Sequence, residues 1–438
     1  MANPLLITDS DISGVLKNIY ESYRLNSFPK LTPLLAQLKK GKRGGPRNMR
    51  WGGNGVFWDV VLTRPVGMTG SQDGFFPPQA KALEKQASVG IKRTYVTREI
   101  DMLAVAGTKE KVAAFIPLAR KIVTEAMDAA RLGQQEVLHG DGRGFKALIT
   151  TVTNDTTVIC QSPYGIAGAG KGGLLLDKDM YVAVLDADTS FAVLGRATIS
   201  TVANSGDSCT VVFDASIAGM EVGDPLVAAT TSDTSYNNMP NGLTNLMNRG
   251  GSFDSLHSLS PATSGEERWE TTRLVAGTDT PDAAQPNEFD VWELAQRVAG
   301  VSGKDAQTNP GEFLLQTTPG VRKKLAEGYF GQRSLQPSDF RTIKGGFKAI
   351  ELFGLPLLAD YWNPAGTLYL IHLNSIAWVD RQDWVKLAFE GAGPWRFIDG
   401  RDAYQVNFGS YWNTAVLQRN SHGLITGYTD TVRYDHTM

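Results

Sequence analysis

The residues best placed to do chemistry form a glycine cluster. The stretch from Gly165 to Gly173 contains both the phosphate-loop pattern G-x-x-x-x-G-K, ending at Lys171, and the dinucleotide pattern G-x-G-x-x-G. A phosphate loop needs a hydroxyl after the lysine to hold magnesium, and then a helix whose amide groups face the phosphate. Gly172 stands at the hydroxyl position, and the pattern after it predicts strands. We interpret the cluster as a connector, with a nucleotide-binding enzyme as the alternative.

The other reactive residues form no recognisable site. Five histidines are scattered without an H-E-x-x-H pattern, and Cys160 and Cys209 form no C-x-x-C motif. Two cysteines cannot build a disulfide framework, which favours assembly in a reducing cytoplasm. The Asp-x-Asp pairs at 177–179 and 186–188 lack the glycine and distal glutamate of a calcium loop. The sequence therefore predicts no catalytic residue, no metal and no cofactor.

The elements that would carry a site begin with a long hairpin followed by a long helix. Within Val56 to Thr63, the apolar residues Val56, Trp58, Val60 and Leu62 recur at period two on one face, which predicts one strand. Val89 to Ile100 alternates less cleanly and predicts the second arm. The residues between them, 65–88, are too polar to form a core. Because an isolated hairpin is at best marginally stable in water, we expect a neighbouring copy of the chain to hold this one.

The helix after the hairpin is predicted from Thr108 to Leu138. Apolar residues recur there at steps of three and four, and the helix would be about 45 Å long. Pro117 lies inside it and predicts a kink. The glycine-rich stretch 141–144 ends it.

Charge and composition set further bounds. The 438 residues are 42% hydrophobic, enough for about two to four domains. No run reaches the roughly 18 apolar residues of a membrane helix, and the start resembles no signal peptide. Residues 1–50 carry nine Lys/Arg against three Asp/Glu, a net +6, so the remainder carries −8. This predicts an extended basic arm, with a helix at Asp11–Tyr23, that binds an acidic surface: a neighbouring subunit or nucleic acid.

The rest of the chain alternates between strands and helices. Closely spaced strands from 180 to 229 predict a small, independent β-module inserted into a larger fold. Asn287 is predicted to cap a helix that has Phe289, Trp292, Ala295 and Val298 on one face. Pro319 is predicted to open a further helix, carrying Val321 and Leu325. A long alternation from Tyr404 to Val416 predicts a final strand. Most tryptophans lie within such alternations, which favours packing over sugar or base stacking.

In this order, the elements resemble the major capsid protein family of tailed bacteriophages, the Hong Kong ninety-seven type fold. The strand-to-helix step Leu314–Arg322 and the segment Gly354–Asp360 are similar to A-domain segments of that family. The resemblance implies an α+β fold with the following parts: an N-terminal arm at 1–50, an E-loop hairpin at 51–100, a P-domain with its spine helix at 101–179 and 401–438, an inserted β-module at 180–232, and an A-domain at 233–400.

The same resemblance implies a function. It predicts a non-enzymatic subunit that self-assembles into the icosahedral shell around the double-stranded DNA of a tailed bacteriophage, assembled in the bacterial cytoplasm and found in the virion. Implied partners are further copies in capsomers, a portal protein, and possible separate scaffolding and decoration proteins; DNA contact would be weak, and no membrane is involved. By comparison with that family, we expect no built-in scaffolding extension ahead of the arm, which implies a separate scaffolding protein or none. The predicted subunit contacts from the E-loop and arm are Trp58, Lys92, Arg93, Arg98, Lys39, Lys40 and Arg43.

Besides the nucleotide-binding enzyme, two other classes of protein are alternatives to a phage capsid protein. An encapsulin-like nanocompartment would share the fold and load a protein cargo, and the long arm and inserted module weigh against it. A receptor-binding or tail protein would be rich in strands without a long helix.

Overall fold

The computed structural model describes residues 6–7, 33–40, 49–53, 55–63, 82–101, 112–163, 175–205, 208–248, 255–280, 284–330, 340–342, 348–387, 395–398 and 400–430. Its strands are β1 (Leu6–Ile7), β2 (Arg50–Gly52), β3 (Gly55–Val61), β4 (Glu84–Gly90), β5 (Lys92–Asp101), β6 (Phe145–Asn154), β7 (Thr157–Gln161), β8 (Tyr181–Asp186), β9 (Ala192–Ser205), β10 (Ser208–Phe213), β11 (Pro225–Ala228), β12 (Thr272–Val275), β13 (Phe313–Thr317), β14 (Phe340–Thr342), β15 (Lys348–Leu352), β16 (Leu355–Ala359), β17 (Leu368–His372), β18 (Ile376–Lys386), β19 (Trp395–Phe397), β20 (Ala403–Val416) and β21 (Gly423–Thr426). Its α-helices are α1 (Pro33–Lys40), α2 (Val112–His139), α3 (Leu243–Met247), α4 (Glu288–Ser302) and α5 (Pro319–Phe330). The predicted α+β class is confirmed.

The largest sheet has the strand order β12-β21-β17-β13-β16-β15-β14. Its central strand β13 is buried along its whole length. Its first three residues are apolar, and the polar Gln316 and Thr317 that follow are buried with hydrogen-bond partners. Helices α4 and α5 pack on this sheet through a shared core that includes Leu294, Val298, Val321 and Leu325. Pro319 is the first residue of α5, so the predicted start of that helix is confirmed.

Helix α4 has the predicted cap but a different buried face. The Asn287 side chain accepts a hydrogen bond from the Phe289 amide at 3.0 Å, as expected of an N-cap. Phe289 and Trp292, however, are 63% and 45% exposed, so the predicted face is wrong for these two residues, whereas Ala295 and Val298 are buried. The buried stripe is Asp290, Val291, Leu294, Ala295 and Val298. This stripe has equally good helical spacing, and the buried hydrogen bond from the Tyr428 hydroxyl to Asp290 holds it inward.

A second sheet carries the long helix. Its order is β1-β5-β20-β18, with β19 also paired to β20. Helix α2 packs on it through Ala126, which contacts the cluster containing Val406 and Phe408. The predicted long helix and the predicted strand at 404–416 are confirmed, but this strand is not the final one, because β21 follows it. The kink at Pro117 stays a prediction. Because β18 belongs to this sheet and β21 to the large one, the predicted boundary at residue 400 does not coincide with a sheet boundary.

The hairpin has a different second arm from the one predicted. Strand β3 pairs with β4, from Gly55 opposite Gly90 to Val61 opposite Glu84. The predicted arm at 89–100 is wrong, because the chain changes sheets at Ile91 and β5 pairs with β20 instead. Its mixed alternation reflects this position: Val96 packs in the cluster that contains Ala126 of α2, while Tyr95 on the opposite face is exposed. The hairpin predicted from the sequence therefore combined strands that belong to two different sheets.

The base of the hairpin has a core within its own chain. Val56, Trp58, Ala87 and Val89 are buried against a cluster that includes Trp269. The expectation that only a neighbouring copy could hold the hairpin is therefore wrong for the base. Residues 64–81, between the two arms, lie outside the described residues.

Helix α1 was missed in the sequence. Its residues Leu34, Leu35 and Leu38 are buried in the cluster that contains Trp378 and Trp412. An eight-residue helix is unstable alone and forms here because its leucines are packed. The predicted extended arm is therefore wrong for residues 33–40, and the helix predicted at 11–23 lies outside the described residues.

The inserted module is a closed barrel with the order β10-β7-β6-β11-β8-β9. It spans Phe145–Ala228, so the predicted start at 180 is too late. Local strand spacing cannot show that β6 and β7 close the barrel, because their partners β10 and β11 come much later in the chain. The glycine cluster at 165–173 lies outside the described residues.

Candidate subunit-contact surfaces

Trp58, predicted as a subunit contact, lies inside the hairpin base. Its side chain is 3% exposed, and its ring meets the ring of His257 edge-on at 5.1 Å. The two arms close just beyond it, where the Leu62 amide donates to the Leu83 carbonyl at 2.8 Å and the Leu83 amide donates to Thr63 Oγ1 at 2.7 Å. Trp58 therefore holds the base in position, and its role in subunit contact stays a prediction.

Three further predicted contacts lie on strand β5. Lys92 Nζ donates to the Asn237 carbonyl at 2.7 Å, and burial lowers the pKa of this lysine. Arg93 is exposed. Arg98 is half-buried and lies opposite Val406 in the strand register. Of the three, Arg93 is the side chain that the described structure leaves open to a partner.

Lys39, at the end of α1, is occupied within the chain. Its Nζ donates to Gln134 Oε1 at 3.0 Å and to Asp383 Oδ1 at 2.9 Å, and it lies 5.2 Å from the ring centroid of Trp378. These contacts fasten α1 to α2 and β18. The side chain of Lys40 and all of Arg43 lie outside the described residues.

The predicted contact residues thus do not converge on one site. The predicted contact residues that the structure describes lie at the hairpin base, on β5 and at the end of α1. Their contacts with other copies stay predictions.

Several exposed apolar side chains mark surfaces that the sequence analysis missed. Tyr95 is 54% exposed and meets Tyr411 edge-on at 6.4 Å on the sheet that carries α2. Phe289 and Trp292 lie on the open face of α4. A signal for Tyr95 was available, because an aromatic residue alternated with Arg93 and Thr97 on one face of β5. For α4, no signal in the sequence showed whether the stripe with Phe289 and Trp292 or the stripe with Val291 and Leu294 is the buried one.

A groove separates the hairpin base from the end of α4. Val61 and Val301, which are 62% and 53% exposed, line its opposite sides, and Arg268 and Gln418 are among its polar lining residues. Val61 lies on the face of β3 opposite the predicted apolar one, which is why the alternation did not single it out.

A buried polar network joins the long helix to the large sheet. His139 Nδ1 donates to the Gln135 carbonyl at 2.8 Å, which leaves Nε2 to accept from Gln316 Nε2 at 2.7 Å. Gln135 Oε1 accepts from the Leu35 amide at 2.9 Å, and Gln135 Nε2 donates to Asp360. Because buried polar groups are costly without partners, this network fixes α1, α2 and the large sheet in one arrangement.

Two other histidines are buried and neutral. Burial, reinforced by the nearby charge of Arg419, lowers the pKa of His257 to about 3. Burial, reinforced by His372, also lowers the pKa of His422 to about 3. Each ring uses a nitrogen as an acceptor: His257 Nε2 from the Val416 amide at 3.1 Å, and His422 Nδ1 from the His372 amide at 3.2 Å. Protonation of either ring would turn the accepting nitrogen into an N–H donor, which would then face the backbone N–H that donates to it.

These two histidines should make the protein acid-sensitive. Their folded pKa lies below the unfolded value of about 6.5, so their stabilisation is complete above about pH 6.5 and is lost progressively toward about pH 3. At pH 5 each should lower the free energy of unfolding by about 2 kcal/mol. Urea unfolding of the unassembled subunit at pH 7 and 5 measures this. His422→Asn, which can keep the acceptor, should reduce the acid loss by about half; an unchanged pH dependence would contradict the assignment.

Among the described residues, no group of three or more His, Cys, Asp or Glu could hold a metal ion. None of the helices in the described part of the chain is long and apolar enough to span a membrane.

No protein-family model matches the sequence, and no curated protein matches it. Solved structures do match. The capsid asymmetric unit of Cyanophage A-1(L) is 13% identical, with 97% of this chain and 100% of that chain covered and a TM-score of 0.50. The capsid of Myoviridae Phage XM1 is 9% identical, with coverage of 94% and 97% and a TM-score of 0.45. An encapsulin complex from Synechococcus elongatus is 14% identical, with coverage of 38% and 56% and a TM-score of 0.28.

The chain therefore has the fold of a phage capsid protein. This is the Hong Kong ninety-seven type fold that the order of its elements resembled.

Proposed function

We propose that this chain is the major capsid protein of a tailed bacteriophage and self-assembles into the icosahedral shell around its double-stranded DNA. The observation that carries the proposal is the fold match to a phage capsid subunit over 97% of this chain and 100% of the other. A match of that extent includes the hairpin, the long helix and both large sheets, which together make up the subunit. The role is structural, with no catalytic step.

The arrangement of the surface fits a subunit that is completed by its neighbours. Exposed apolar side chains occur on β3, β5 and α4, in three different parts of the molecule. Large shells form when each subunit makes several contacts whose individually modest energies add up. We assign the hairpin to the E-loop, α2 to the spine helix and the large sheet to the A-domain, and we include Arg93 and Tyr95 among the residues that meet other copies.

The charge distribution fits a shell that holds DNA loosely. The chain outside residues 1–50 carries a net −8, which disfavours tight binding to phosphates. A basic arm could instead contact acidic surfaces of neighbouring subunits. A portal protein, and separate scaffolding or decoration proteins, are the further partners proposed, with assembly in the host bacterial cytoplasm and a final place in the virion.

Electron microscopy of the expressed chain tests the proposal. We expect closed shells built from pentamers and hexamers of one polypeptide, alone or after addition of a scaffolding protein. Native particles should contain double-stranded DNA, whereas a protein cargo would identify a nanocompartment. A protein that stays monomeric under all these conditions and binds ATP or NAD tightly, with binding lost in Lys171→Ala, would overturn the proposal in favour of the enzyme.

A further inference from the structure

The two cysteines of the sequence face each other inside the barrel. Cys160 on β7 and Cys209 on β10 are directly opposite in the antiparallel register. Both side chains are fully buried and belong to the barrel core, beside residues such as Val158 and Val211. Both are free thiols. This pairing could not be read from the sequence, because 48 other residues separate the two positions and no motif connects them.

The register suits a disulfide bond. Directly opposite residues on antiparallel strands point to the same face and have Cα atoms about 4.5–5.5 Å apart. Disulfides bridge Cα separations of about 4.4–6.8 Å. A bond between Cys160 and Cys209 therefore requires rotation of side chains and no displacement of the strands. The condition is strict, since an offset of one residue would turn one of the thiols out of the barrel.

We propose that Cys160 and Cys209 form a disulfide site that stays reduced while the chain folds and closes when the protein meets hydrogen peroxide. One cysteine, as its thiolate, attacks a peroxide oxygen, which breaks the O–O bond and yields a sulfenic acid and water after protonation. The second thiol then attacks the sulfenic sulfur and a second water leaves. Two thiols and one peroxide thus give one disulfide and two waters.

The environment keeps this reaction slow. A hydrogen bond to Cys209, together with burial, raises the pKa of the Cys160 thiol well above its usual range. Because the thiolate is the reactive species, little of it is present at neutral pH. A reducing cytoplasm would also keep the pair open. Hydrogen peroxide is small enough to enter when the barrel opens transiently, whereas larger disulfide reagents such as oxidised glutathione should react far more slowly.

Closure would tie β7 to β10, and the linked segment between the cysteines contains β8 and β9. A crosslink removes open conformations of the barrel and slows its local unfolding. If the chain is a shell subunit, the barrel would stiffen after the particle leaves the cell. That benefit rests on the proposed function; the disulfide itself does not.

Oxidation of the purified full-length chain tests the site. The protein is incubated with hydrogen peroxide, quenched with catalase, denatured, alkylated with iodoacetamide and analysed by mass spectrometry. We expect an unalkylated Cys160–Cys209 linkage, about 2 Da lighter than the dithiol, and a melting temperature about 5 °C higher. Reduction with a phosphine should reverse both changes. Alkylation of both cysteines, stable sulfinic acids at both positions, or disulfide-linked dimers would each overturn the proposal.

Single-cysteine variants supply the control. In Cys209→Ala, peroxide should leave Cys160 as a thiol or a higher oxide, with no reversible rise in melting temperature. If Cys209→Ala weakens folding, the oxidation of the wild-type protein still tests the proposal without this variant. Electron microscopy of the same samples reports on shell formation separately, so failure of the disulfide and failure of the proposed function can be told apart.

Discussion

A chain whose residues 64–81 are replaced by an Asn-Gly turn is expected to fold normally and to form no shells. The arms already meet at Leu62 and Leu83, so a two-residue turn can close the hairpin there. The buried base, with Trp58 beside His257, should be unaffected. Under the proposed function, the removed segment is the part of the E-loop that extends to neighbouring copies. Without it, the contacts that the E-loop makes with those copies are all lost. Size-exclusion chromatography and negative-stain microscopy measure the outcome.

The matched control for this replacement keeps the length and changes the composition. A Gly/Ser segment of equal length at 64–81 separates the need for reach from the need for particular side chains. Circular dichroism and melting temperatures close to wild type would show that both variants are folded. Normal shells from the shortened chain would remove the E-loop assignment.

Trp412→Ala is expected to cost about 3–5 kcal/mol of unfolding free energy, the usual range for deleting a fully buried aromatic ring. Trp412 is 0% exposed and stacks on Trp378, with ring centroids 4.3 Å apart and an angle of 13° between the rings. Its indole N–H donates to Thr94 Oγ1 at 3.2 Å. The ring lies in the cluster where α1 packs against the end of α2, so the cavity would loosen both helices. Urea unfolding of the unassembled subunit measures the loss.

Trp292→Ala is the control for that substitution. It removes the same side chain from the exposed face of α4 and should change the unfolding free energy by less than about 1 kcal/mol. If Trp292 contacts another copy, the variant should assemble poorly while remaining stable. A loss below about 1 kcal/mol in Trp412→Ala would contradict the packing described for the cluster.

The sequence predicted the elements with strong local signals. The long helix, the strand at 404–416 and the helix opened by Pro319 each have a period or a terminus signal contained in one stretch of chain. Helix α1 lacked such a signal: eight residues are too short for a reliable period, and the helix is stabilised by Trp378 and Trp412 from the far end of the chain. The two candidate faces of α4 were indistinguishable until the partner of Asp290 was known.

Pairing between strands was the least predictable feature. Alternation in β5 indicated a strand without indicating its partner, and the nearest strand in sequence was the natural choice. The partner is β20, since ladder pairing is set by three-dimensional packing and not by proximity along the chain. The same reason hid the facing cysteines and the true extent of the barrel. The predicted contact residues were taken from the E-loop and arm that the resemblance implied, and a local pattern does not show which of their side chains are exposed. Trp58 and Lys39 are engaged within the chain.

The pairing of β5 with β20 also has a consequence during synthesis. Thr94 and Ser410, which share a hydrogen bond across this ladder, are 316 positions apart. The ribosome must therefore release nearly the entire polypeptide before β5 finds its partner, and such non-local topologies fold slowly. Until then, the nascent chain carries an open strand edge and an uncovered apolar stripe on α2, both prone to aggregation. The barrel, built from one contiguous segment, can mature earlier. Productive expression should thus depend on chaperones that shelter the sheet carrying α2 until translation ends.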